Sequence, residues 1–403
     1  NAMNTLYFGD NLRMLSRVED ESVDLIYIDP PFNSARQYNL LFKQVKGDPS
    51  PAQIMAFEDT WSWDPNAMEE FQQTCEHPRL RRLLDVLYDL LGESEMMAYL
   101  VAMTPRLLSL YHKLKPTGSF YLHCDPVASH YLKLVCDLIF NPRYFRNEIT
   151  WKRTSAHNDA SKYGCNTDTI LYFTKSERFT WNPQRIDQNA GHAKRFRNID
   201  SAGRAWADDN LTAKGLSGGG YDYEYKGVRS LWRCPLSTME RLDAEGRLHF
   251  TSKGGIRLKR FLDENEGKPV QALFDDISPI NSRAKERRHY PTQKPVALLE
   301  RLLLAYSNEG DLVLDAFCGC GTTVSASQRL ARRWIGIDVT YLAINEIEER
   351  LLEEHGLEKG GQYHVEGLPA DLDAAREFFN LTRKDSHKQF EMWAVSLING
   401  QPR

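Results

Sequence analysis

Asp29-Pro30-Pro31-Phe32 puts a carboxylate, a carbonyl followed by a proline nitrogen and an aromatic ring on one stiff turn. The two oxygens can accept hydrogen bonds, the ring can stack on a planar ligand, and the prolines restrict the backbone between them. A second group lies far along the chain, in Leu314-Asp315-Ala316-Phe317-Cys318-Gly319-Cys320-Gly321-Thr322-Thr323. Gly319 and Gly321 let backbone approach a ligand that a Cβ would block, and a helix starting at Thr322 presents free N–H groups. Asp338 ends the next apolar run, about twenty residues after the glycines, where a carboxylate can accept hydrogen bonds from ribose hydroxyls. The spacing is Gly-x-Gly without the third glycine of a dinucleotide fingerprint.

The elements that must carry these groups follow from patterning. Val23 to Ile28 is β-branched and short enough for a buried strand, and it stops where proline forbids ladder pairing. Ligands of open α/β sheets bind beyond the carboxyl ends of such strands, which is where Asp29 falls. Thr5 to Phe8 reads as a strand, followed by a turn at Gly9-Asp10-Asn11 in which Asp10 can cap a short helix. Met96 to Leu114 has helical spacing and ends at the breakers Lys115-Pro116-Thr117-Gly118, before a strand from Ser119 to His123. A helix over 127–140 and strands over 148–152 and 167–174 follow. Val296 to Tyr306 reads as a helix with Pro295 in its first turn, Leu312 to Ala316 as a strand and Ala343 to Glu354 as an amphipathic helix. A strand at Tyr363 to Glu366 and a helix at 371–379 close the chain. Asn33 to Leu41 is expected to cover the site, and 43–95 reads as an insertion with a helix at 78–91. His123 and Asp125 form either an acid/base pair or the structural end of a strand.

At 403 residues, 41% apolar and 26% charged, the chain can bury a substantial core, and no run is apolar enough for a membrane span. A cytoplasmic location is therefore expected. Seven scattered cysteines suit reduced thiols, and Cys318 and Cys320 are too close for a zinc knuckle, so no metal is expected. The net charge of −4 hides an asymmetry: residues 146–288 hold 26 basic and 19 acidic side chains, an excess of +7, which leaves −11 for the rest. Between 179 and 285 the helix-strand alternation fails, and Tyr221, Tyr223, Tyr225, Arg229, Trp232, Arg233, Arg257, Lys259 and Arg260 interleave basic and aromatic groups. Such a surface can neutralise phosphates and stack on bases, though an ordinary solvated surface has the same charges.

Taken together, the Asp-Pro-Pro-Phe turn, the glycine loop and Tyr290-Pro291-Thr292-Gln293-Lys294-Pro295 before it resemble the motifs of amino-methylating DNA methyltransferases. With the catalytic motif first and the cofactor loop last, the order is similar to the β-class. The resemblance covers roughly residues 4–175 and 286–350. It implies an α/β fold, a circularly permuted Rossmann-like methyltransferase sheet, mostly parallel with one antiparallel hairpin, and an inserted target-recognition region. The implied organisation is a catalytic half over 4–178, a recognition region over 179–285, a cofactor half over 286–356 and an extension over 357–403.

The implied activity is transfer of a methyl group from S-adenosylmethionine to N6 of a flipped-out adenine in double-stranded DNA. Asp29, Pro30, Pro31 and Phe32 would be catalytic. Asp10, Thr292, Lys294, Asp315, Phe317, Gly319, Gly321, Thr322 and Asp338 would hold the cofactor, with Asp10 near its adenine amino group and Thr292 and Lys294 near its carboxylate. Asp10 serves equally well as a helix cap. Cytosine N4 is the alternative target, less favoured because such enzymes more often carry Ser at the position of Asp29. An RNA or protein-glutamine methyltransferase and a non-catalytic DNA-binding subunit are the rivals from other classes. A homodimer and a cognate restriction endonuclease are the partners that the resemblance implies, and no membrane is involved.

Overall fold

The computed structural model describes residues 3–31, 37–43, 49–58, 63–155, 161–186, 195–215, 218–264, 267–281, 283–288, 290 and 292–368. Phe32, His157, Asn158 and the helix expected at 371–379 lie outside them. Contacts divide the chain into one unit of Asn1–Pro183 with Gln271–Arg403 and a second of Gln184–Val270.

In the first unit, β1 (Asn4–Phe8) leads into α1 (Asn11–Leu15), whose first free N–H groups, those of Leu12 and Arg13, donate to the Asp10 carboxylate at 3.1 and 3.3 Å. β2 (Val23–Ile28) is buried on both faces, as a strand between parallel neighbours must be. An antiparallel hairpin follows, β3 (Gln37–Lys43) with β4 (Pro49–Glu58). α2 (Pro65–Thr74) starts on an Asp64 cap where the sequence suggested loop, and α3 (Pro78–Leu91) is the helix expected there. Leu80, Leu84 and Leu87 share one face of α3 and sink into the main core, so this region is part of the wall and not an appendage.

α4 (Glu95–Lys113) runs directly into β5 (Leu114–Cys124). The breakers at 115–118 do not separate the two elements. Val23 pairs with Leu114 and Leu25 with Ser119, so an irregularity in the ladder absorbs the extra residues inside the strand. α5 (Ala128–Phe140), β6 (Phe145–Lys152) and β7 (Thr167–Thr174) complete this half.

The second unit is small and mostly β. β8 (Arg185–Ile186), β9 (Asn198–Ile199), β10 (Ala205–Asn210), β11 (Tyr221–Tyr225), β12 (Val228–Trp232), α6 (Leu236–Ala244), β13 (Leu248–Phe250), β14 (Ile256–Phe261) and β15 (Lys268–Pro269) follow in order. β13-β14-β10-β9 form a four-stranded sheet, while β11–β12 and β8–β15 pair separately. Leu211, Trp232, Met239, Leu242, Leu248, Ile256 and Leu258 give the unit its own core.

The chain then returns to the first unit through β16 (Leu273–Phe274), α7 (Val296–Tyr306), β17 (Leu312–Asp315), α8 (Thr322–Arg329), β18 (Arg333–Asp338), α9 (Tyr341–His355) and β19 (Tyr363–Glu366). Asn182, which donates to the carbonyls of Leu304 and Ser307, and β16 therefore sit with the large sheet, although the sequence placed both in the recognition region.

The large sheet has the order β16-β6-β7-β5-β2-β17-β18-β1-β19. Every neighbouring pair is parallel except those made by β7, which gives the largely parallel sheet with one antiparallel hairpin. From β2 the chain moves outward through β5, and from β17 it moves the other way through β18. The carboxyl ends of β2 and β17 therefore flank a topological switch point, the place where such sheets bind ligands. Among the described residues no helix is long and apolar enough to cross a membrane.

Candidate active site

At this switch point Asp29, Lys294, Thr292, Asp315, Phe317, Gly319 and Thr322 line one cleft, together with Tyr27, Tyr290, Cys318, Cys320 and Thr323. The acid after β2 and the glycine loop after β17 thus meet, although they are far apart in sequence. The Lys294 ammonium donates to the Asp29 carboxylate across this cleft, and both side chains are largely buried. With this ion pair in place the cleft holds only about 40 Å³, room for a water or two.

Asp315 braces the loop from the end of β17: one carboxylate oxygen accepts from the Phe317 N–H at 2.9 Å and the other from the Thr323 hydroxyl at 2.6 Å. Burial pushes its carboxyl up to about 7, against the hydrogen bonds from Thr323 and Phe317 and with help from the charges of Asp29 and Asp338. A carboxyl raised in this way contributes stability that is fully present below its unfolded value of 3.8 and is lost as pH rises towards about 7. Replacing Asp315 with Asn, which keeps the shape and stays neutral, should remove that loss. The difference in unfolding free energy between the Asn variant and the wild type should grow by about 1 kcal/mol per pH unit between pH 5 and 6.5 and level off above 7. Urea titrations at four pH values check this, and a constant difference would contradict it.

Asp338 sits at the end of β18 with both oxygens engaged. One accepts from the Gly319 N–H at 2.9 Å, the other from the N–H and hydroxyl of Thr340 at 2.9 and 2.8 Å. Burial raises its carboxyl as well, so Asp338 holds the loop to the start of α9. The two glycines have different reasons to lack a Cβ. Both have left-handed φ, +48° at Gly319 and +72° at Gly321. A Cβ on Gly319 would reach 3.3 Å from the Tyr290 ring in the cleft, whereas one on Gly321 would strike Ile347 of α9 at 2.7 Å. Gly321 therefore permits helix packing under the loop, not ligand approach. Cys318 and Cys320 are buried thiols, Cys320 pushed up to about 11 by burial, which leaves no thiolate for nucleophilic chemistry here.

Asp10 is not among the residues that line the cleft: its half-exposed carboxylate caps α1 and pairs with Arg106 at 2.5 Å. Asn11 beside it donates to the Ala316 carbonyl at 2.9 Å and ties β1 to the loop. Tyr27 was missed from sequence, yet its position two residues before Asp29 puts it on the same face of β2. Arg350 was also missed. It is 1% exposed, lies on the apolar face of α9, and donates to the Cys320 carbonyl at 3.2 Å, the Thr322 hydroxyl at 3.3 Å and Glu354 at 3.0 Å. The signal was available as a lone charge among Ile344, Ile347 and Leu351. Arg350→Met should raise the cofactor Kd about 10-fold and lower the melting temperature by several degrees, because it leaves the Cys320 carbonyl without its buried donor and takes from Glu354 one of its cations. Calorimetric binding and thermal melts check it.

The groups around the cleft suit a donor that carries both charges. The Lys294 ammonium and the amino end of α8 can take a carboxylate, while the Asp29 carboxylate favours a cationic centre. A switch-point cleft bounded by an acid-proline-proline turn and a glycine loop is what a Rossmann-like methyltransferase requires. The profile of the family described as DNA methylase matches residues 23–349, and the chain belongs to that family. Its methyl donor is S-adenosylmethionine.

The chain is 27% identical over 355 residues to the type II methyltransferase M.EcaI of Enterobacter cloacae, covering 86% of this chain and 69% of that one. It is 26% identical to the type III restriction-modification enzyme StyLTI Mod subunit of Salmonella typhimurium, over 82% of this chain and 50% of that subunit's length. The DNA adenine methyltransferase YhdJ of Escherichia coli is 24% identical, over 84% of this chain and 79% of its own.

Proposed function

We propose that this chain methylates N6 of adenine in double-stranded DNA, with Asp29, Pro30, Pro31 and Phe32 forming the amino-group site. The observation that carries the reading is the single cleft shared by Asp29 and Gly319. S-adenosylmethionine, when bound, supplies an electrophilic methyl group on sulfur. The amine of an adenine is a weak nucleophile because its lone pair is shared with the ring, and it cannot reach a donor from inside the stack, so the base is flipped out. The Asp29 carboxylate and Pro30 carbonyl accept hydrogen bonds from the amino group, which draws the lone pair out of the ring and towards the methyl. Catalysis is then positioning and charge complementarity, without a covalent enzyme intermediate.

Lys294 would hold the carboxylate of the cofactor, which would free the Asp29 acid for the base. Thr292, Asp315, Phe317, Gly319, Thr322 and Asp338 form the cofactor side of the cleft, the last through the loop that it anchors. The acid at position 29 and the similarity to an enzyme named as an adenine methyltransferase support adenine over cytosine. The unit Gln184–Val270 contributes DNA contacts, supported by 16 basic against 12 acidic residues and by exposed Arg229, Arg241 and Arg260. A cytoplasmic location and a cognate endonuclease accord with relatives from restriction-modification systems.

The deciding experiment offers labelled S-adenosylmethionine with duplex DNA, RNA and protein, and then analyses the nucleosides by mass. N6-methyladenine from duplex DNA is expected. N4-methylcytosine or label in RNA or protein would replace the reading.

A further inference from the structure

The last ladder contact of β2 sets Ile28 opposite Leu122 of β5, and Asp29 stands one residue beyond it, followed by two prolines that donate nothing. The neighbouring strands continue further, with His123 and Cys124 of β5 paired to Ile170 and Thr169 of β7. The proposed catalytic acid therefore stands one residue past the last ladder contact of β2.

Tyr27 shares the face of β2 that carries Asp29 and lines the cleft with it. Its hydroxyl meets His123 Nδ1 at 2.8 Å, and His123 Nε2 meets Asp168 Oδ2 at 3.1 Å. All three are buried, at 2%, 0% and 2% exposure, and Arg153 closes the chain of contacts with Nε 3.3 Å from Asp168 Oδ1. The His123 ring is held edge-on by Tyr27 and by Trp151, with centroids 6.2 and 6.0 Å away. Asp125, two residues after His123, takes a different task and caps α5 through the Ala128 N–H at 2.6 Å. Burying a phenol, an imidazole and a carboxylate together is costlier than packing apolar side chains, and what such a network provides is one fixed geometry.

We propose that Tyr27, His123 and Asp168 are positioning residues for methyl transfer: they tie the carboxyl end of β2 to β5 and β7 and so fix where the Asp29 carboxylate stands. The inference rests on the reading of Asp29 as the amino-group acceptor. Burial first, and then the charges of Asp29, Asp315 and Asp168, raise the Tyr27 phenol well above its ordinary value, so it keeps a proton to donate to Nδ1. His123 is then the Nε2–H tautomer and donates to Asp168. Burial works to raise the Asp168 carboxyl, but the hydrogen bond from His123 and the charges of Lys294 and Arg153 hold it below the usual range, so it remains an acceptor. Each bond in the chain thus has one direction, and a tether with one hydrogen-bonding arrangement holds a position better than one with two.

The test measures single-turnover methylation of duplex DNA at saturating cofactor, cofactor affinity by calorimetry, and the ¹⁵N resonances of the histidine ring. Tyr27→Phe removes only the hydroxyl, and it should slow the single turnover about 10- to 100-fold, the loss expected when a reacting group is displaced by around an ångström, with cofactor affinity unchanged. The Nδ1 resonance of His123 should move while Nε2 stays protonated. His123→Gln keeps one acceptor and one donor and should retain most of the rate, whereas His123→Leu should fall as far as Tyr27→Phe. Tyr27→Phe at the wild-type rate overturns the proposal, and if that variant does not fold, equal rates for the Gln and Leu variants do so. Asp29→Asn is run alongside: an active Asn variant means that the reading of Asp29 fails, while an inactive one beside a fully active Tyr27→Phe means that only the tether fails.

Discussion

Asp29→Asn should lower the single-turnover rate of methyl transfer by about 10²- to 10³-fold or more, the cost of removing one aligned charge-complementary group from a dry site. The amide is nearly the same shape, but it presents a donor where the target amino group also donates, and it carries no charge to balance positive charge developing on the nitrogen. Cofactor affinity should not suffer. In the wild type the Lys294 ammonium is occupied by the Asp29 carboxylate, and the cofactor must compete with that pair. Without the carboxylate the competition disappears, so affinity should be unchanged or a few-fold tighter. Titration calorimetry and a quenched-flow assay on the same preparation measure both. A loss of affinity matching the loss of rate would move Asp29 to the cofactor side of the cleft.

Lys294→Met should give the opposite pattern. Losing one charge-assisted partner of a carboxylate is worth about 1.5–3 kcal/mol, which corresponds to a cofactor Kd raised about 10- to 100-fold. At saturating cofactor the transfer rate should fall only a few-fold, because Asp29 remains. The free enzyme should also be less stable, since the substitution leaves a largely buried carboxylate beside Asp315 without its cation. Added cofactor should then recover less of the melting temperature than it does in the wild type. An unchanged Kd with a collapsed rate would mean that Lys294 serves the base and not the donor.

The acid-proline-proline turn and the glycine loop were legible because their local chemistry is unusual. Few uses exist for an acid and two prolines at the end of an apolar strand, or for Gly-x-Gly between a strand and a helix. The strand Thr167–Thr174 and the helix Pro78–Leu91 were legible from periodicity and punctuation alone. What escaped depends on contacts that no local pattern contains. Lys115-Pro116-Thr117-Gly118 breaks helices and strands by propensity, yet pairing with β2 carries the strand through it. The hairpin of β3 and β4 was hidden in a segment read as cover and insertion. The partner of His123 proved to be Asp168, on a strand that becomes its neighbour only in the folded sheet, and not Asp125 two residues away. The task of Gly321 is set by Ile347 on a later helix, so a correct glycine motif still concealed which glycine faces the ligand.

The order of the strands also governs how the protein is made. β2 is made long before the neighbour on its open side, β17, which pairs Val313 and Leu314 with Leu25 and Ile26 and leaves the ribosome much later. Until then a nascent chain exposes an apolar, unpaired edge in the middle of its future sheet, the kind of edge that invites aggregation or chaperone binding. Closing so large a loop is slow, and a truncated product ending before β17 lacks the glycine loop and its side of the cleft. Activity should therefore emerge only after β17 has joined β2.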